Sequence, residues 1–247
     1  MKFVSLDNVT QCAIYTLMEN LNPTQLKILS ALLFKPRARF RDLNTEFSGT
    51  DLFSYHVRTL VQSGLIKKES SLYSLTAKGK IVAGGIDTST KTMEKQPKIG
   101  VLLIPIKQEG GKKKYLTQRR SKEPFYGYYG FIAGKMRLGE TVEETAKREL
   151  MEEAGLTGKV DHSYVLHDLV YSRSTGELLD DKFLNIVVMT DLGGALLEET
   201  EEGVNKFIEL KDFEHLSPKF WDLENMIKRS KAKNMRFQET KSYVEAL

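Results

Sequence analysis

The chain has 247 residues, of which 40% are apolar and 28% are charged, and this balance is typical of a folded globular protein. A single cysteine, Cys12, excludes both a disulfide framework and a zinc site built from cysteines. Because no apolar run approaches the roughly 18 residues of a membrane span and the N-terminus lacks the apolar stretch of a signal peptide, we expect a reduced, cytoplasmic protein without membrane contact.

The net charge of +4 is unevenly distributed along the chain. Residues 1–97 contain 13 basic and 8 acidic side chains, whereas residues 98–247 contain 24 and 25. A basic excess confined to one part of a chain indicates a module that faces a polyanion. The polar segment 86–97 lacks apolar periodicity and is typical of a linker, which predicts two domains, 1–90 and 91–247.

The N-terminal part has the pattern of several helices followed by a hairpin. Residues 3–20 carry an apolar stripe at helical spacing, which predicts a helix that packs on this module or supports a homodimer. Asn22 and Pro23 then mark a helix start. A short second helix is expected around Phe40, Leu43 and Phe47. The third helix is expected within 51–66, ended by Gly64, with these residues buried: Leu52, Val57, Leu60 and Val61. Strands at 65–68 and 72–76 would complete the module.

This order, and the sequence from Ser54 to Ile66 followed by YSLTAKGK, resembles winged helix-turn-helix domains over about residues 20–85. The resemblance implies that the third helix enters the major groove of double-stranded DNA while the wing contacts its backbone. The residues that would contact DNA are Ser54, Tyr55, His56 and Arg58 on the helix and Lys67 and Lys68 at the wing. A winged helix used only for protein contacts is the alternative.

The remainder of the chain shows strand patterns around one long amphipathic helix. Strands are expected at 98–106, 113–119, 160–170 and 182–190, and a further helix at 219–230. Between them, Thr141 and Glu144 form a capping box, and Gly155 ends the helix. Val142, Ala146 and Leu150 would form its buried stripe. Glu149, Glu152 and Glu153 are spaced three and four residues apart, so they share one face and favour a hard divalent cation.

Residues 134–156 match a known pattern, G-x5-E-x7-R-E-U-x-E-E-x-G-U, where U is aliphatic. This segment resembles the box of Nudix hydrolases, which cleave nucleoside diphosphates linked to another group with the help of metal ions. The resemblance implies metal ligation by Glu149, Glu152, Glu153 and the Gly134 carbonyl, with Glu140 behind them, and a catalytic role for Arg148, Glu149 and Glu152. Arg148 lies one turn from Glu144 and from Glu152 and can brace these carboxylates.

Three features near the box leave alternatives open. The general base is either a box glutamate or a carboxylate of the acidic segment 198–202. Ile132-Ala133-Gly134 stands where many family members have Pro-Gly-Gly, which weakens inference about the loop backbone. The substrate-binding candidates are Arg119, Arg120 and Tyr129, the last within an aromatic cluster that either stacks a nucleobase or covers the sheet.

The sequence therefore predicts an α+β multidomain protein, with an N-terminal winged helix-turn-helix and a C-terminal α/β/α Nudix sandwich that has a mixed sheet. Its expected cofactor is Mg²⁺, with Mn²⁺ as a substitute. Its expected partners are a nucleoside diphosphate derivative and double-stranded DNA. The alternative function is a transcriptional regulator whose Nudix domain mainly senses a nucleotide such as ADP-ribose.

Overall fold

A computed structural model of the chain describes residues 20–44, 50–123, 125–220, 222–231 and 236–244. Contacts between Cα atoms divide the chain into two compact units, Met1–Gln96 and Pro97–Leu247. The helix expected over residues 3–20, and Phe47 of the second helix, lie outside the described residues. None of the helices within the described ranges has the length and apolar content that a membrane crossing requires.

Within its described residues, the first unit contains four helices and a small antiparallel sheet. The helices are α1 (Pro23–Phe34), α2 (Phe40–Leu43), α3 (Thr50–Gln62) and α4 (Ala77–Gly84). The strands are β1 (Ala38–Arg39), β2 (Ile66–Glu69) and β3 (Leu72–Leu75), in the order β1-β3-β2. Asn22 caps α1 through a reciprocal capping box with Gln25, as the sequence predicts.

The buried face of α3 differs from the expected one. Phe53, Val57 and Leu60 are at most 3% exposed, whereas Leu52 is 66% exposed and Val61 is 38% exposed. Residues three and four positions apart share one face of a helix. The burial of Phe53 therefore places Val57 and Leu60 on the same inner face and leaves Leu52 and Val61 outside it. The core of this unit is then completed by leucines of α1 and by the strands.

The segment expected to be a linker belongs partly to the first unit. Strands β4 (Ile86–Asp87) and β5 (Thr92–Met93) form an antiparallel hairpin, and Ile86 is only 3% exposed within the core. The Asp87 carboxylate accepts hydrogen bonds from the backbone N–H groups of Ser89 and Thr90, which closes the turn. The polar composition of this segment therefore marks a turn rather than a linker.

The second unit is built on a mixed sheet. Its main strands are β6 (Lys98–Glu109), β7 (Lys112–Arg120), β10 (Leu156–Ser172), β11 (Leu178–Gly194), β12 (Gly203–Glu209) and β13 (Arg236–Val244), in the order β12-β7-β6-β11-β10-β13. The short strands β8 (Tyr129–Gly130) and β9 (Ala133–Lys135) pair with β7 and β6. The pairs β6–β11 and β10–β13 are parallel, and the other pairs are antiparallel.

Helices cover both faces of this sheet. On one face, helix α5 (Val142–Ala154) packs Ala146 and Leu150 against alternate residues of β6 and β11. On the other face, a 3-10 helix (Leu210–His215) and helix α6 (Leu223–Ser230) bury Phe213 and Ile227 against the intervening residues. Helix α6 begins at Leu223 rather than at residue 219. In this arrangement, the C-terminal half of α5, which carries Arg148 and Glu153, lies beside β9 and β7.

Candidate functional site

Helix α5 is fixed at both ends by its own residues. The side chain of Thr141 accepts from the Glu144 backbone N–H, while the Glu144 carboxylate accepts from the Thr141 N–H at 2.8 Å. Gly155 ends the helix in the left-handed region with φ of 68°. Because Glu144 is engaged in this cap, it is not the partner of Arg148 that the helical spacing suggests.

Arg148 is the centre of the carboxylate network instead. Its Nε and Nη2 donate to the two oxygens of Glu140 at 2.7 and 2.8 Å, and its Nη1 donates to Glu149 at 2.5 Å and to Glu152 at 3.1 Å. Its Nη2 also donates to the Lys135 carbonyl of β9 at 3.1 Å. The Arg148 hydrogen bond holds the pKa of Glu140 down to about 2, so this pair stays charged.

Gly134 allows Glu149 to lie against the backbone of β9. A Cβ at position 134 would lie 1.9 Å from Cδ of Glu149 and 2.1 Å from its Oε1. A side chain at this position would displace the Glu149 carboxylate, so the glycine allows Glu149 to keep its place against β9. The loop with Ile132 and Ala133 forms although it departs from the more common Pro-Gly-Gly, since β9 still pairs with β6 through Val101 and Gly134.

Glu153 is a buried carboxylate, only 7% exposed. Burial raises the pKa of Glu153 to about 7, and the charges of Glu149 and Glu202 act in the same direction, against a hydrogen bond from Gln118. Nε2 of Gln118 donates to Oε2 of Glu153 at 2.9 Å. Asn205 on β12 donates at 2.6 Å to the Glu153 carbonyl, which ties this end of α5 to the sheet. The sequence did not single out Gln118 or Asn205, because an isolated amide on a strand forms no recognisable pattern.

The donor set fits a hard divalent cation in its chemistry. Glu149, Glu152 and Glu153 share one side of α5 through their helical spacing, and carboxylate oxygens are ligands that Mg²⁺ takes. Among the described residues, no three acidic, histidine or cysteine side chains are already placed to hold one metal ion. The Nη1 group of Arg148 lies between Glu149 and Glu152. The Glu152 side chain is 48% exposed and has room to turn toward a cation.

The three substrate-binding candidates line two different cavities of the second unit. Arg119 and Tyr129 line a cavity of about 480 Å³ beside β12, where the guanidinium lies 5.9 Å from the centre of the tyrosine ring. Arg120 lines a smaller cavity of about 100 Å³ together with Phe131 and Asp168. The other aromatic residues of this cluster also differ in their surroundings. Phe125 and Tyr128 pack on Phe220, whereas Tyr126 is 63% exposed.

The DNA-binding candidates do not all face outward in the first unit. Tyr55 and Arg58 on α3 are exposed, and so are Lys67 and Lys68 on β2. Lys67 pairs with Glu69 at 2.6 Å, and Ser54 is half-buried. His56, in contrast, is only 8% exposed and its Nδ1 lies 3.2 Å from Nδ2 of Asn22. The prediction that His56 contacts DNA is therefore wrong, since it joins α3 to the cap of α1.

Comparison with known proteins gives one family and several relatives. The NUDIX domain matches residues 96–231. A protein from Methanocaldococcus jannaschii named ADP-ribose pyrophosphatase is 30% identical over 115 residues, which are 47% of this chain and 64% of that protein. The match thus spans less than two thirds of the relative's length.

Two solved structures match this chain at lower sequence identity. The MutT protein from Bacillus halodurans is 20% identical, with a TM-score of 0.49 over 58% of this chain and 89% of that one. The NUDIX domain of Shewanella oneidensis NrtR, solved with ADP ribose, is 16% identical, with a TM-score of 0.49 over 63% of this chain and 97% of that one.

Proposed function

The chain belongs to the Nudix family, and we propose that its C-terminal unit is a metal-dependent hydrolase that cleaves the diphosphate linkage of a nucleoside diphosphate derivative. The observation that carries this proposal is the packing of Glu149 on Gly134 within a complete Arg148 network. A surface helix has no need of a glycine at that contact. ADP-ribose is the first substrate to test, because the 30% identical relative is named an ADP-ribose pyrophosphatase.

The proposed roles follow from the contacts. Glu149, Glu152 and Glu153 would hold Mg²⁺ or Mn²⁺ with the Gly134 carbonyl, and the bound cation would neutralise charge on the diphosphate and lower the pKa of a water molecule. Arg148 fixes Glu149 against β9, and Glu140 holds Arg148 from behind. These contacts therefore hold Glu149 in place before any substrate arrives, whereas Glu152 would turn toward the cation.

The general base is either a box glutamate or a carboxylate of the acidic segment 198–202. Within that segment, Glu202 is the candidate to test first. Its charge acts on Glu153, and its carboxylate pairs with Lys122. Replacement by glutamine removes a base without changing size. If Glu202 is the base, Glu202→Gln lowers kcat about 10²- to 10⁴-fold at saturating Mg²⁺. The exposed neighbour Glu201 offers a matched control through Glu201→Gln, and an unchanged kcat in Glu202→Gln excludes Glu202 as the general base.

The enzyme proposal is tested against the sensor alternative by turnover. A panel of nucleoside diphosphate derivatives, ADP-ribose included, is incubated with the full chain and Mg²⁺, and products are separated by chromatography. We expect hydrolysis that Glu152→Gln abolishes and that Glu143→Gln retains, since Glu143 is on the same helix but only pairs with Lys147. Binding of a nucleotide without turnover would favour the regulator, and equal rates in wild type and Glu152→Gln would exclude the proposed site.

We further propose that the N-terminal unit is a winged helix that binds double-stranded DNA. Its support is the order of three helices and a hairpin, the basic excess of residues 1–97, and the exposed side chains of Tyr55 and Arg58 on α3. Lys67 and Lys68 on β2 would then meet phosphates and add affinity without sequence information. Ser54 lies on the same helix as Tyr55 and Arg58, whereas the buried His56 contacts Asn22 at the cap of α1.

The DNA proposal is tested by fluorescence anisotropy of a labelled duplex with the full chain. We expect affinity to fall as salt rises, with a logarithmic slope of about 0.9 for each neutralised phosphate. Arg58→Gln should weaken binding, while Lys95→Gln, a neutralisation at an exposed site of the same unit, should change it little. Salt-independent binding, or none at low salt, would favour a winged helix that contacts proteins.

A further inference from the structure

Strand β13 forms one edge of the large sheet, and its outer edge has no strand partner within the described residues. On its inner side it pairs in parallel with β10, from Tyr164 opposite Arg236 to Ser172 opposite Val244. An unpaired edge of nine residues exposes a row of N–H and C=O groups that can accept another strand.

The direction of the backbone groups identifies the residues on the open edge. Because the Arg173 N–H donates to the Val244 carbonyl, the even-numbered residues of β13 bond inward to β10. The odd-numbered residues Phe237, Glu239, Lys241 and Tyr243 therefore turn their N–H and C=O groups outward. Their side chains are also exposed, with Phe237 at 61% and Tyr243 at 54%.

The side chains of these four residues are complementary to themselves in reverse order. If a second β13 is laid antiparallel about Thr240, Phe237 lies opposite Tyr243 and Glu239 lies opposite Lys241, each pair occurring twice. Aromatic pairs and opposite charges that face each other directly stabilise an antiparallel ladder. Centring the pair on Glu239 or on Lys241 instead would place two like charges opposite each other, which destabilises those registers.

The aromatic side chains already continue across the sheet toward this edge. Phe183 stacks on Phe237 at 6.4 Å between ring centres, and Tyr171 stacks on Tyr243 at 5.6 Å. In a twofold pair, the Phe183–Phe237 stack of each copy would continue into the Tyr243–Tyr171 stack of the other, which gives two symmetry-related rows of rings across the two sheets. Lys241, which makes no ion pair within the described residues, would gain Glu239, a carboxylate that now contacts only Nδ1 of His167 at 2.9 Å.

We propose that β13 is a homodimer interface, in which two copies of the chain pair their β13 strands antiparallel about a twofold axis at Thr240. The interface is isologous, so the same strand supplies both sides and the assembly closes at two copies. The outward carbonyl of Tyr243, which accepts a 3.3 Å hydrogen bond from the exposed Arg173 guanidinium, would exchange this contact for a backbone N–H of the second copy.

Charge reversal tests the register by sedimentation velocity of the full chain. Wild type should sediment at twice the mass of one chain. Glu239→Lys and Lys241→Glu each place like charges opposite each other twice, so each should shift the protein to monomer. The double variant restores both opposite-charge pairs and should restore the dimer, although it still lacks the His167 contact. Lys159→Glu, at an exposed position of β10, is a matched control that should remain dimeric.

A disulfide tests the position of the axis. Opposed residues that do not exchange hydrogen bonds lie about 4.5 Å apart between Cα atoms, which is within the range that a disulfide spans. In a Cys12→Ser background, Thr240→Cys should therefore form a covalent dimer under mild oxidation. A monomeric wild type, a dimer that either single charge reversal leaves intact, or a dimer without cross-linking through Thr240→Cys would each overturn the proposal.

Discussion

Gly134→Ala is the sharpest perturbation of the site, because one methyl group enters the space that Glu149 occupies. The added Cβ would lie 1.9 Å from Cδ and 2.4 Å from Cγ of Glu149, whereas carbon atoms in contact lie at about 3.5–4.0 Å. The carboxylate must therefore move by about 1.5 Å or more. Neither Gly134 nor the β6 strand behind it can give way, since β9 is hydrogen-bonded to β6 at this residue.

A misplacement of about 1 Å at a reacting site can cost about 100-fold in rate. We therefore expect kcat/KM of Gly134→Ala to fall about 100-fold or more, which corresponds to about 2.7 kcal/mol of lost transition-state stabilisation. Overpacking should also lower the free energy of unfolding by about 1–3 kcal/mol. In a protein of this length that is a decrease in Tm of about 2–12 °C.

The assay is the initial rate of hydrolysis under Mg²⁺ saturation, read beside the thermal unfolding curve of the same sample. Gly84→Ala is the matched control, because a Cβ there would meet nothing within 4 Å. This control should keep full activity and unfold at the same temperature or slightly higher, as expected for Gly to Ala in a helix. A Gly134→Ala protein with a rate within twofold of wild type would refute the assignment of Glu149 to the site.

Three further predictions concern the network around Glu149. Arg148→Met removes the guanidinium partner of the buried Glu149 and of the partly buried Glu140 and should cost about 3–5 kcal/mol in urea unfolding, whereas Lys147→Met, which breaks an exposed pair, should cost less than about 1 kcal/mol. Equal losses would contradict the central role of Arg148. Because the folded pKa of Glu140 is about 2, below its ordinary 4.5, its stabilising contribution is fully present above about pH 4.5 and lost as pH falls through 2. The stability difference between wild type and Glu140→Gln, measured in EDTA, should therefore shrink over that range, and a constant difference would refute the pairing. Gln118→Met removes the hydrogen bond that favours the charged form of Glu153, so half-saturation should need about 10–100-fold more Mg²⁺; an unchanged requirement would exclude Glu153 as a ligand.

Local patterns predicted the elements that depend on neighbours in sequence. The cap of α5 at Thr141, its left-handed end at Gly155 and the start of α1 at Asn22 follow from side chains within four residues of each other. Strand β13 was not predicted, because its outer face is polar at Glu239 and Lys241 and shows no alternation of apolar residues. Its pairing with β10 is a contact between distant segments, which periodicity does not encode.

The part of the site that lies on one helix was predictable from the sequence. The contacts that the sheet supplies were not. The spacing of Glu149, Glu152 and Glu153 places them on one face of α5, but the burial of Glu153 depends on Gln118 of β7. The orientation of α3 shows the same limit. Leu52 and Phe53 are both apolar, so the sequence alone does not show which of them is buried. In the structure Phe53 is buried, and His56, three positions later on the same face, is buried with it.

The most direct test of metal-dependent hydrolysis at the α5 carboxylates follows a phosphoric anhydride by ³¹P NMR. The full chain is mixed with ADP-ribose and other nucleoside diphosphate derivatives, first in EDTA and then with excess Mg²⁺, and the same series is run with Glu152→Gln. We expect diphosphate resonances to convert to phosphomonoester resonances only after Mg²⁺ is added, and only in the wild type. Conversion in EDTA, equal conversion by Glu152→Gln, or intact diphosphates in every sample would contradict it.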